Sequence, residues 1–244
     1  MVLGSMNKFR KNLAFTLAEV LITLGIIGIV AAMVIPSLIN AYQKHVTVTR
    51  LKQTYAQITQ AVKLSEAENG DFTGWNMSVP SWSGYYPDLN EKFVKTYFLP
   101  YLKYTHLCQA KESYCNTNTP KYLNGNTLDL WDRKYGGIVL SNGVVLKFWI
   151  RNTFCEIYVD INGSSAPNIL GKDIFIINLI RGHFEPINKD LPGVYLYGEG
   201  YTREQLLKNG YKNYLCAKEG RYAGLYCGAL IKEDGWKISK DYPW

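Results

Sequence analysis

Hydrophobic positions divide this chain into three regimes. From Ala14 to Ile39 they follow one another almost without a break, and Glu19 is the only ionisable side chain in that interval. About 20 mostly apolar residues cross the roughly 30 Å hydrocarbon layer of a bilayer. Residues 15–39 are therefore predicted as a transmembrane helix. Past Pro36 the pattern changes. Val48, Leu51, Tyr55, Ile58 and Val62 recur every three or four residues, with Lys52, Gln53, Gln60 and Lys63 between them. That spacing draws one apolar stripe on a water-facing helix. Asn69-Gly70 supplies a stop, so residues 15–70 form one helix of roughly 80 Å at about 1.5 Å per residue. Pro36 removes a backbone donor and is expected to kink that helix near Met33.

The third regime, residues 71–244, is mixed. Asp71 to Pro87 is rich in Gly, Ser, Pro and Trp and reads as an irregular surface loop. Leu89 to Tyr104 reads as a short helix broken at Pro100. Strand signals begin at Gly136, where two apolar runs flank Asn142-Gly143, a strong hairpin signal. Phe154 to Ile161 and Ile174 to Ile180 supply two more strands. Thr202 to Gln205 forms a capping box opening a short helix, and Gly235 to Ile238 reads as a last strand. A helix followed by antiparallel strands predicts an α+β domain in which the helical stripe packs on the sheet.

Charge and cysteine content narrow the picture. The formal net charge is +7, but Lys8, Arg10 and Lys11 carry three of those charges, leaving about +4 on the remainder. This is not the clustered basic face of a dedicated nucleic-acid binder. Basic residues ahead of an apolar run keep that end cytoplasmic and send the rest outward. The five cysteines suit an oxidising, exported setting. Nearness in sequence favours Cys108–Cys115 and Cys216–Cys227, leaving Cys155 free in a strand, although spacing alone leaves other connectivities open. Neither pair has the two-to-four-residue spacing of a zinc clip.

The basic segment ending at Ala14, followed by Phe15-Thr16-Leu17-Ala18-Glu19-Val20-Leu21, resembles the processing and methylation site of type IV prepilins and type II secretion pseudopilins. The resemblance implies a pilin-like fold, with a C-terminal region often closed by a disulfide. It also implies a leader of residues 1–14, cut after Ala14 by a prepilin peptidase that then methylates Phe15. That family more often has Gly where this chain has Ala14. Residues 1–5 read as an extra stretch ahead of a start at Met6. By the same resemblance Glu19 is the assembly carboxylate and Pro36 lies where the helix bends. Partners would be other pilin subunits in a homo- or hetero-polymer, the peptidase and an inner-membrane assembly platform. The subunit would reside in the bacterial inner membrane before joining an extracellular pilus or a periplasmic pseudopilus. A minor tip subunit binding DNA, sugar or a secreted substrate shares the same N-terminus. An ordinary secretory signal cut near Ala31-Ala32 or a plain anchor that never polymerises are the other readings of the apolar run.

Candidate chemistry in the soluble part is confined to one stretch. Asp160, Asn162 and Ser164 alternate oxygen ligands, and Asp173 falls near the position of a last EF-hand carboxylate, so calcium is a candidate there. The competing reading is an Asx-rich turn between two strands. A nucleophile beside a base and a phosphate-binding Gly-rich loop are both missing from the sequence pattern, which points away from an enzyme. The 19 tyrosines and 6 tryptophans suit a β-rich core or subunit contacts, and more rarely a surface that stacks sugars or bases.

Overall fold

The computed structural model of the chain describes residues 16–81, 84, 86–108, 115, 119–128, 137–163 and 165–244. The chain divides into two compact units, one up to Gln43 and the other from Lys44 to Trp244. Helix α1 (Leu17–Asn69) contributes to both. In the first unit its large apolar side chains face outward, from Leu17 at 77 % exposure to Met33 at 75 %. Secondary structure continues through Pro36, whose missing N–H deprives the Ala32 carbonyl of its helical donor.

In the second unit α1 is amphipathic. Thr47, Leu51, Thr54, Ile58, Ala61, Val62 and Ser65 are buried, while Val48 and Tyr55 are partly buried against the same core. The stripe predicted from sequence is thus centred on smaller residues than expected. Thr54, Ala61 and Ser65, all fully buried, share the inner face with Leu51 and Ile58. Gly70, at φ 76°, ends the helix in the left-handed conformation that glycine adopts without a Cβ penalty.

The segment after α1 departs from the expected surface loop. Phe72, Trp75 and Met77 are buried, and the Trp75 ring stacks on Tyr97 with centroids 4.3 Å apart. Its Gly and Pro content marks irregular backbone, but the aromatic side chains carried on that backbone belong to the core. Helix α2 (Pro87–Tyr97) follows, opened by Pro87, and Pro100 sits in a short 3₁₀ turn, Leu99–Tyr101, after the helix has ended.

Six strands form one antiparallel sheet in sequence order: β1 (Tyr104–Cys108), β2 (Gly137–Leu140), β3 (Val145–Ile150), β4 (Phe154–Asp160), β5 (Ile174–Ile180) and β6 (Gly193–Leu196). The Asn142-Gly143 turn joins β2 to β3: Gly143 has φ 83°, and the Leu140 N–H donates to Val144 at 2.8 Å. Strands β4 and β5 are buried along their whole length, so both sheet faces are covered. Alternation sends Cys155, Ile157 and Val159 to one face, in the core that also holds Leu51 and Ile58. It sends Glu156, Tyr158 and Asp160 to the other, beside Trp149, Lys147 and Asn178 of the flanking strands.

Helix α3 (Arg203–Leu207) opens with the Thr202/Gln205 capping box that the sequence predicts. Two short parallel strands, β7 (Tyr214–Leu215) and β8 (Tyr222–Ala223), precede helix α4 (Cys227–Glu233). The strand expected over Gly235–Ile238 is not formed. Gly235 and Trp236 have φ 74° and 61°, and the Trp236 N–H turns back to the Ile231 carbonyl at 2.8 Å, closing α4. The result is the α+β architecture expected from sequence: an apolar N-terminal helix, an antiparallel sheet, and a C-terminal region stapled by Cys216–Cys227.

Candidate functional site

The polar residues at the head of α1 form a closed hydrogen-bonding unit. Thr16 precedes the first helical residue, and its N–H and Oγ1 both donate to Glu19 Oε2 at 2.8 Å. The Glu19 N–H returns to Thr16 Oγ1 at 3.2 Å. This is a reciprocal capping box, Thr-x-x-Glu, which satisfies two of the N–H groups that a helix start leaves without partners. The negative side chain also lies at the positive end of the helix dipole. Glu19 Oε1 accepts no hydrogen bond among the described residues, so one oxygen remains open to an incoming donor. The Thr16-x-x-Glu19 pattern is present in the sequence, although Glu19 is read there only as the assembly carboxylate that the resemblance implies. Ala14 and Phe15 lie outside the described residues.

The loop between β4 and β5 brings three of the four calcium candidates together. Asp173 Oδ2 accepts from the Asn168 N–H at 2.7 Å and from Asn162 Nδ2 at 3.2 Å, and Oδ1 accepts from the Ile169 N–H at 2.6 Å. Asp160 Oδ1 accepts from the Asn162 N–H at 3.2 Å. Burial, and then the neighbouring negative charge of Asp173, push the Asp160 carboxyl up to about 8. Asp173 is raised as well, by burial, against the pull of its N–H donors. Both Asp173 oxygens are thus turned onto backbone and amide donors, and the carboxylate clamps its own loop. Ser164 lies outside the described residues. Among the described residues no group of three or more His, Cys, Asp or Glu side chains is placed to hold a metal.

The structure pairs Cys108 with Cys115 and Cys216 with Cys227. Cys155 is free and fully buried on β4, where burial, and then the charge of Glu156, push its thiol far above the ordinary range. It is held as an inert thiol.

Comparison with known protein families identifies two regions. Residues 9–35 match the prokaryotic N-terminal methylation motif, which supports a pilin-like, pseudopilin-type protein, and the apolar first helix fits membrane anchoring. Residues 37–244 match a family described as a family of unknown function (DUF6613), and the chain belongs to that family. Comparison with curated proteins and with solved structures gives no match.

Proposed function

We propose that the chain is a structural subunit of a type IV pilus or type II secretion filament. In this reading a prepilin peptidase trims it between Ala14 and Phe15, and it polymerises through α1. The observation that carries the proposal is the methylation motif over residues 9–35, which overlaps a helix whose large apolar side chains are exposed from Leu17 to Tyr42.

Physical chemistry assigns separate tasks to that surface and to its carboxylate. Inside the bilayer, lipid tails satisfy Leu and Ile as well as a neighbouring helix does, so association there needs close packing or polar pairing. Once a subunit leaves the bilayer, each large apolar side chain gains about 1.5–3 kcal/mol by being covered. Apolar packing therefore supplies the bulk of the affinity but little axial register. Register comes from Glu19. Trimming creates an amine at Phe15, and the open Oε1 of Glu19 on an adjacent subunit is the acceptor for it. A charge left unpaired in a filament core is strongly disfavoured, so misaligned subunits are rejected.

The test is Glu19→Val in cells that carry the peptidase and assembly platform. The expected result is normal membrane insertion and trimming with filament yield reduced at least tenfold. Filaments at the unmodified yield would overturn the register role.

A further inference from the structure

The sheet face opposite the α1 core borders a cavity of about 750 Å³, within the range of small-molecule sites. Its walls are aromatic: Tyr122, Tyr197, Tyr214 and Tyr222 line it together with Trp149 and Phe154. Tyr222 meets two of its neighbours edge to face, and Tyr197 is tilted at 56° to Tyr214, so the rings do not form one flat platform. Tyr214 and Tyr222 lie at 86° with centroids 4.9 Å apart, and Tyr122 meets Tyr222 at 73°. Glu156 also lines the cavity, yet it is only 5 % exposed.

Among the described residues the Glu156 carboxylate takes part in a single hydrogen bond, from the Tyr158 hydroxyl at 3.1 Å, and in no ion pair. Arg151 acts on it only through its field. The Arg151 guanidinium is itself stacked on Trp149, 3.5 Å from the ring centroid, and donates to the Gly84 carbonyl at 2.9 Å. Across the strand pair from Glu156 lies Asn178, fully buried, with neither amide atom hydrogen-bonded among the described residues. The carboxylate faces the rings: the Tyr197 and Tyr214 hydroxyls are raised first by burial, and the charge of Glu156 adds to the rise in both.

A buried carboxylate without a counter-ion is costly, and the faces of tyrosine rings attract cations. Lys212 and Tyr211 line the same cavity, and there the protein already uses that attraction, with Lys212 Nζ lying 4.7 Å from the Tyr211 centroid. We propose that this cavity binds an organic ammonium group, with the rings of Tyr122, Tyr197, Tyr214 and Tyr222 as its walls and the Glu156 carboxylate as its counter-ion. A neutral sugar is disfavoured because it stacks on a flat ring face and does not compensate the charge. The inference is independent of the filament reading, since none of these residues lies on the exposed stretch of α1.

The experiment is isothermal titration of the full chain in a non-ionic, polyoxyethylene-type detergent. The probes are choline, its neutral carbon isostere 3,3-dimethylbutan-1-ol, and butylammonium. Choline or butylammonium is expected to bind at least about tenfold more tightly than the isostere, a difference of about 1.4 kcal/mol. The stronger of the two cations identifies a methylated or a primary amine as the ligand chemistry. Glu156→Gln is expected to abolish the preference for the cation, and Tyr214→Leu to weaken the cation while near-ultraviolet circular dichroism stays native-like. Equal affinity for choline and the isostere, absence of binding by either cation at millimolar concentration, or tighter binding of a methyl glycoside, titrated as a fourth probe, would each overturn the proposal. These comparisons on the unmodified chain decide the question even if a variant fails to fold.

Discussion

Replacing Glu156 by glutamine is expected to stabilise the protein in a strongly pH-dependent way. Burial dominates at this position, and the Tyr158 hydrogen bond and the Arg151 field offset only part of it, so the carboxyl titrates at about 7 rather than 4.5. Lys147 and Asp160 lie on the same sheet face, and Tyr197 and Tyr214 face it from the covering segments. Because the folded chain holds this proton to higher pH than the unfolded chain, the folded state binds more protons between about 4.5 and 7. Stability is therefore complete at low pH and is lost as pH rises through 7. At about 1.36 kcal/mol per pH unit, the loss reaches about 3 kcal/mol at pH 8. Glutamine carries no proton to lose and can still accept from Tyr158. The variant should match the unmodified chain at pH 4.5 and exceed it at pH 8 by about 3 kcal/mol, or about 6–12 °C in Tm for a chain of this size. Asp160, raised to about 8, imposes a similar slope of its own, so the variant's profile becomes shallower without becoming flat. Thermal unfolding of both chains in detergent across this pH range is the assay. Equal Tm values at pH 8, or a less stable variant there, would refute the reasoning.

Other consequences concern the loops that close the domain. Cys227→Ser opens a link between residues 11 apart in sequence and is expected to cost about 2–4 kcal/mol, read as a lowered urea midpoint; an unchanged midpoint contradicts a stapling role. Asp173→Asn removes the charged acceptor for the Asn168 and Ile169 N–H groups, with an expected loss of about 1–3 kcal/mol. That loss should be the same with calcium or with a chelator, and a loss seen only in calcium would show that the carboxylate serves an ion instead of the backbone.

Much of the architecture is legible in the chain because its cues are local. The uninterrupted apolar run, the Asn142-Gly143 turn and the Thr202 capping box each fix backbone geometry through neighbouring residues, and each appears where its pattern predicts. What could not be read depends on contacts distant in sequence. Strands β1 and β6 are short and half exposed, and their pairing is decided by the sheet they join. Trp75 looked like a loop residue because its backbone is irregular, whereas its burial comes from Tyr97 and Phe93. Along β4 the alternation of Cys155, Glu156, Ile157 and Tyr158 suggests one wet face. Only the fold shows that Tyr122, Tyr214 and Tyr222, from segments on either side of the strand in sequence, cover Glu156. At the amino terminus Glu19 stands out in the sequence as a carboxylate in an apolar run, while its place as the last member of a Thr-x-x-Glu box emerges from the structure. The structure adds that one oxygen is engaged and the other open.

The most direct test of the filament account is the mass and sequence of the mature amino terminus after expression with a prepilin peptidase. The account predicts a chain beginning at Phe15, heavier by one methyl group, about 14 Da, on its terminal amine. A product that keeps residues 6–14 in the presence of active peptidase, or one cut near Ala31-Ala32, would contradict it.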